Sequence, residues 1–164
     1  MFEKIRKMKN QKGFTLVELI VVLVILAILA ALLVPALTGY IDKANKEKVI
    51  ATTRMVVMAA QTEASEKYGL KADGTLTAVE MKLGTVTDVP ATAIDGPSDN
   101  INMETIAKLA EVRSDSGWLN GVSGIYVKIS TKGVIEKAMV TQSGFTCTYD
   151  ANASGDKYTV TDKK

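Results

Sequence analysis

The sequence predicts an α+β protein. One long N-terminal helix, its first half built to cross a membrane, precedes a small head with an antiparallel sheet. Three observations lead there. Sixteen consecutive apolar residues run from Leu19 to Val34. Beyond Pro35, helical patterning resumes and continues to Tyr68 with no further proline. From Gly117 the apolar period changes to two, broken by short turns that contain glycine.

The 164 residues leave room for one domain, or one small domain with an appendage. There is no histidine and a single cysteine, Cys147. These counts exclude a His general base, a Ser–His or Cys–His couple and a His/Cys zinc site, and they rule out an internal disulfide. No cofactor, metal or catalytic residue is expected.

The first element is a basic tip. Residues 1–13 carry five bases (Lys4, Arg6, Lys7, Lys9 and Lys12) and one acid, Glu3, whereas the remaining chain has a net charge of −2. A mildly acidic body lacks the basic surface that nucleic-acid binding needs, so no nucleic-acid partner is expected.

The second element is the stretch Phe14–Leu37, which holds one charge, Glu18. As a helix rising ~1.5 Å per residue it would be about 36 Å long, enough to cross a hydrocarbon core of roughly 30 Å. A run that is apolar on every face is too large for the rest of the chain to wrap. The bases before it favour a cytoplasmic N-terminus and a head on the far side. No small-x-small pair followed by a polar start marks removal of the whole segment. Glu18 is the anomaly. A carboxylate in such a segment costs roughly 2–3 kcal/mol, so it needs a partner or a task, and Lys12 is one candidate partner.

Pro35 lacks an N–H and clashes with the carbonyl of Ala31, and Gly39 weakens the same turn, so a kink is expected there. Past it, Leu37, Ile41, Ala44, Ala51, Met55 and Met58 recur at helical spacings and are expected to form the stripe that the head covers. Met55, Val56, Val57 and Met58 read as ordinary core. The helix is expected over residues 14–68, with Gly69 as its C-cap, and the head over 69–164.

Within the head, Thr77-Ala78-Val79-Glu80 has a capping-box pattern and predicts a short helix. Ser98-Asp99-Asn100 precedes INMETIAKLAEV, a second helix of about ten residues, and Pro90 and Gly96-Pro97 mark turns. Then come IYVKIS from Ile125, VIEKAMVT over 134–141, FTCTY over 145–149 and YTVT at the end. Thr131-Lys132-Gly133 and Gln142-Ser143-Gly144 separate the first three, which predicts an antiparallel meander of three or four strands. Ile125, Val127 and Ile129 share a face, as do Phe145, Cys147 and Tyr149, and Cys147 reads as a small buried hydrophobe. In the last loop, Asp150, Asn152, Ser154 and Asp156 place oxygens at alternate positions, as the start of a calcium loop does. The acid that should end such a loop is missing, and a polar hairpin loop accounts for the same residues. Asn152-Ala153-Ser154 is also a glycosylation sequon.

The string Lys12-Gly13-Phe14-Thr15-Leu16-Val17-Glu18, after a basic leader and before a long apolar run, resembles the processing site of type IV prepilins. The order of long helix, loop-rich region and antiparallel sheet resembles the pilin fold. The resemblance is close from Lys12 to about Tyr40. It implies a leader over residues 1–13, cut between Gly13 and Phe14 by a prepilin peptidase, and N-methylation of Phe14. It implies polymerisation of copies into a helical filament, with Glu18 meeting the amine of a neighbour's Phe14. Assembly-platform proteins, minor pilins and the cytoplasmic membrane are the further partners. Many pilins staple a C-terminal loop with two cysteines. This chain lacks them and in this respect is closer to Gram-positive pilins or to the major pseudopilins of type II secretion. The implied function is a structural subunit of a type IV pilus, with adhesion and twitching motility as its uses. Two alternatives share the superfamily, a pseudopilin of type II secretion and a competence pilin for DNA uptake. A third is an uncleaved, single-pass membrane-anchored binding module.

Overall fold

A computed structural model describes residues 13–72, 74–86, 89–95 and 101–162. The chain divides into two compact units, Met1–Asp42 and Lys43–Lys164. Helix α1, Leu16–Leu70, runs through both.

In the first unit, every described residue from Gly13 onward is exposed, including the large apolar side chains of the Phe14–Leu37 stretch. Among the described residues α1 is the one helix long and apolar enough to span a membrane. The helix does not end at Val34 but passes through Pro35 and Gly39. The Thr38 hydroxyl donates to the Pro35 carbonyl at 2.9 Å, close to where the proline interrupts the backbone ladder.

The second unit is a sheet laid on one face of α1. Its strands are β1 (Val79–Gly84), β2 (Ile94–Asp95), β3 (Arg113–Ser114), β4 (Gly117–Trp118), β5 (Val122–Ile129), β6 (Ile135–Gln142), β7 (Phe145–Asp150) and β8 (Tyr158–Asp162). Helix α2 is Met103–Leu109. Among the described residues six strands form one sheet in the order β2-β1-β5-β6-β7-β8. All neighbours are antiparallel except β1 and β2. β3 and β4 form a separate two-stranded ribbon.

Four strands, β5 to β8, follow the period-two reading. Ile125, Val127 and Ile129 are fully buried, as are Ala138 and Val140 opposite them on β6. Phe145 and Cys147 are buried and Tyr149 packs against the same core. The thiol of Cys147 is free, and burial pushes its pKa up. The β6–β7 turn is a two-residue loop in which Ser143 and Gly144 both have positive φ, 51° and 85°, the geometry that matches the twist of paired strands.

The sheet is larger than the predicted meander because residues 79–84 are a strand, not the start of a helix. Val79 and Met81 are buried, with more exposed residues alternating between them, and all six pair with β5. Pairing with a buried neighbour outweighs a local capping signal. Its partner β2 is too short to show a periodicity. The second predicted helix is present but shorter. Its N-cap is Asn102, whose side chain accepts from the Glu104 N–H at 2.8 Å. Ser98-Asp99-Asn100 and the Gly96-Pro97 turn lie outside the described residues. Gly69 sits inside the last helical turn rather than beyond it.

The buried face of α1 also differs from the expected stripe. Val49, Thr52, Thr53, Val56, Ala59, Ala60, Glu63 and Ala64 are buried. Leu37, Ile41, Ala44 and Ala51 are exposed, and Met55 and Met58 remain 38% and 63% exposed. Small and β-branched residues let a sheet approach a helix closely, and the long methionines project on another side. Two glutamines tie the helix to the two ends of β6. Gln142, 1% exposed, accepts from the Thr52 hydroxyl at 2.9 Å and donates to the Asn120 carbonyl at 3.0 Å. Gln61 donates to the Gly133 carbonyl at 2.8 Å and accepts from the Ile135 N–H at 3.3 Å. Among the described residues no buried side-chain polar atom lacks a partner.

The opposite face of the sheet carries a second, small core of Ala93, Tyr126 and Met139, with Val86 and Val89 against it. At its margin two glycines face each other, Gly84 on β1 and Gly124 on β5. A Cβ on Gly84, whose φ is +77°, would lie 2.5 Å from the Trp118 ring, and one on Gly124 would lie 2.6 Å from the Thr85 backbone.

Replacing Gly124 by alanine is therefore expected to destabilise the head by about 2 kcal/mol, with a fall in Tm of several degrees. Gly155→Ala, where a Cβ meets nothing within 4 Å, should change little. Thermal circular dichroism of the full chain in detergent checks both. Burial first, then the charges of Glu80 and Glu136, push the Tyr126 hydroxyl up to about 12, against an ordinary value of 10.0. Below the ordinary value the phenol is neutral whether folded or unfolded, and its contribution is intact. As pH rises from there towards the folded value, the unfolded chain sheds the proton more readily, so stability falls. Denaturant midpoints should therefore drop between about pH 9 and 11.5, and Tyr126→Phe should flatten that drop.

Candidate processing and assembly site

The site sits where the chain enters α1. Gly13, Phe14 and Thr15 are not helical, and Leu16 is the first helical residue. Nothing lies within 4 Å of where a Cβ on Gly13 would sit, and Phe14 is 84% exposed. The Gly13–Phe14 peptide bond is thus held in an open, non-helical segment two residues ahead of the helix.

The stop is chemical. The Thr15 carbonyl accepts the helix's first backbone bond, from the Leu19 N–H at 3.2 Å. The Thr15 hydroxyl accepts from the Glu18 N–H at 3.2 Å. In return, Glu18 Oε2 accepts from the Thr15 N–H and the Thr15 hydroxyl, each at 2.9 Å. This is a reciprocal capping box of the form T-x-x-E, with Thr15 as N-cap and Glu18 three positions into the helix. It satisfies donors that the first turn leaves without intrahelical partners. A carboxylate in the first turn also sits at the favourable end of the helix dipole.

Glu18 therefore has a partner inside its own turn. Its other oxygen, Oε1, makes no hydrogen bond or ion pair among the described residues. Lys12, the partner considered from the sequence, lies outside them, as does the rest of the leader up to that residue. Thr15 is the residue that sequence reasoning missed. The T-x-x-E signature is legible at 15–18, immediately before the apolar run, in the context where a capping box belongs.

The remaining candidates are scattered. Pro35 and Gly39 lie within α1, several turns from the cap. In the β7–β8 loop, Asp150 Oδ1 accepts from the Asn152 N–H at 2.9 Å, and the Asp150 N–H donates to the Lys157 carbonyl at 3.0 Å. Asp150 thus shapes a turn with its own backbone, as a polar hairpin loop requires. Among the described residues no group of three or more His, Cys, Asp or Glu is placed to hold a metal ion.

Residues 8–34 match the family described as the prokaryotic N-terminal methylation motif. No curated protein and no solved structure matches the chain. The matched segment spans the Gly13–Phe14 bond, the capping box and the apolar run as far as Val34. It implies processing by a prepilin peptidase and a single-pass membrane anchor. The motif supports a type IV pilin-like prepilin, and the long helix followed by an antiparallel sheet matches the α+β pilin fold.

Proposed function

We propose that this protein is a structural subunit of a type IV pilus and not an enzyme. The methylation motif supports the reading: on it, the Gly13–Phe14 bond, the amine that cutting would release and the Glu18 carboxylate share one register at the head of an apolar helix. The N-terminus lies in the cytoplasm and the head outside. Prepilin peptidase cuts after Gly13 and methylates the new amine of Phe14, which keeps its positive charge. The mature subunit waits in the membrane, and an assembly platform lifts it into a helical filament of identical copies, alongside minor pilins. Residues 14–37 form the filament core, and Pro35 and Gly39 give the helix a place to bend.

Glu18 sets the register. In an apolar bundle a misplaced subunit leaves an ammonium and a carboxylate unpaired, which is costly, whereas the correct offset pairs them. Transfer of the apolar helix from lipid to a bundle of like helices changes little hydrophobic energy. Assembly therefore runs in either direction according to the motor that drives it.

The direct test is to shear cells, collect the extracellular filaments and take the mass spectrum of the N-terminus of this protein. A peptide beginning at methylated Phe14 is the expected result. An intact Met1 leader confined to membranes would leave a plain anchored domain instead. Glu18→Ala is expected to reach the membrane and to be fully cut over hours of growth. Its sheared-filament yield should fall about tenfold or more, as the loss of an ion pair worth about 1.4 kcal/mol or more at each addition would require. Normal filament yield from that strain would overturn the register role.

A further inference from the structure

The geometry points to Thr15 as a positioning residue for leader cleavage: its capping box with Glu18 fixes the start of α1 at Leu16 and keeps the Gly13–Phe14 bond out of the helix. This inference rests on the processing reading above, and adds to it the residue that presents the bond.

A peptidase must bring the bond it cuts into its active site as open backbone, and a bond locked in helical hydrogen bonding is shielded. Three observations show how this chain avoids that. Gly13, Phe14 and Thr15 are non-helical. The side chain of Thr15 occupies the Glu18 N–H, so the first turn is closed by a side chain rather than by more backbone. The N–H of Thr15 itself is taken by Glu18 Oε2, so it is not offered to a carbonyl four residues upstream. Both backbone groups that would carry the helix back into the leader are thus engaged by the box.

The sequence upstream makes such a stop necessary. Glu3 to Lys12 contains mostly good helix formers and no proline, so only Gly13, Asn10 and the repulsion of the basic charges from the positive end of the helix dipole oppose an extension of α1 towards the N-terminus, each a modest term. Glycine in a helix interior is disfavoured by only about 1 kcal/mol. At a membrane boundary an unpaired N–H is harder to satisfy than in water, which strengthens the pull towards extension when the cap is lost.

Two properties of Glu18 can be separated on this basis. The cap needs a hydrogen-bond acceptor at position 18, which glutamine supplies as well as glutamate. The register role needs the charge. Glu18→Gln should therefore be cut at the normal rate and assemble poorly. Thr15→Val keeps the charge and the branched shape but removes the hydroxyl, so it should be cut slowly.

The test uses the full-length precursor in vesicles of phosphatidylethanolamine and phosphatidylglycerol, with purified prepilin peptidase. Initial rates of leader release are measured over a range of precursor density. Thr15→Val is expected to lower the rate roughly three- to thirtyfold, the range set by the loss of an N-cap. Thr15→Ser should restore it to within about twofold, since serine caps as well as threonine. Amide exchange at Phe14 should become slower in Thr15→Val, as the helix extends through it, and stay fast in Thr15→Ser. Thermal unfolding of the head should be the same in all variants, which excludes a general loss of structure. If the unsubstituted chain is cut and Thr15→Val is cut equally fast, the role of the capping box is overturned and the processing reading stands. If the unsubstituted chain is not cut at all, the processing reading itself falls.

Discussion

The head depends on one contact: the face of α1 formed by Val49, Thr52, Thr53, Val56, Ala59, Ala60 and Ala64, laid against the inner side of the sheet. Among the described residues the inner side of β5, β6 and β7 has no other cover of comparable size, the short α2 adding only Met103, Ile106 and Ala107 to the same core. A sheet with one apolar face must find a partner for it, and the partner here is the continuation of a helix whose earlier turns belong to lipid. The same element thus meets two different demands. Up to Ala44 it is exposed all round, and from Val49 it is sided. Small side chains at the contact allow close approach, while Gln61 and Gln142 at the two ends of β6 define where along the strand the helix sits. Apolar packing alone would fix that position less sharply, because neighbouring offsets of a smooth apolar face differ little in buried area. A buried amide displaced by one residue loses its partners, at a cost of about 1–3 kcal/mol.

Much of this was readable from the residues, and the reasons for the failures are specific. The membrane segment and β5 to β8 announce themselves through composition and period, even though Tyr126 on β5 and Met139 on β6 are buried on the second face of the sheet. The expected helix stripe lies on the wrong side because helical spacing alone does not say which of several apolar rows the sheet covers. Met55 and Met58 look like core, yet a helix that must lie flat on a sheet is better served by alanine, valine and threonine. The capping-box signature occurs twice, at Thr77–Glu80 and at Thr15–Glu18. In the first, Val79 and Met81 are claimed by the pairing of β1 with β5, a long-range contact that no local window contains. In the second, nothing competes, and the signature forms as written. Tyr126 was missed for a related reason. It lies on the side of β5 away from α1, and its burial comes from the segment around Val86, Val89 and Ala93, which carries no period.

The chemistry at the N-terminus gains from this comparison. A lone carboxylate in an apolar segment demands a counter-charge when read as a string of letters. In three dimensions Glu18 is already engaged through one oxygen by a neighbouring N–H and hydroxyl. Its desolvation is partly offset within a single turn, and its other oxygen can meet a cation without breaking that arrangement. Capping and ion pairing are therefore compatible tasks for one side chain.

The last strand, β8, is an edge, and the chain has no disulfide to hold it. It is fastened instead to the helix. Lys46 pairs with Asp162 at 3.1 Å and lies over the Phe145 ring, and Arg54 lies over the ring of Tyr158. Tyr158 in turn packs on Tyr149. In the filament proposed above, load would pass from helix to helix, and each head would be held by its grip on α1. A strand closed by a covalent staple resists force but cannot re-form once broken in a reducing medium. One held by ion pairs and stacked rings can let go at a surge and close again when the strain is released.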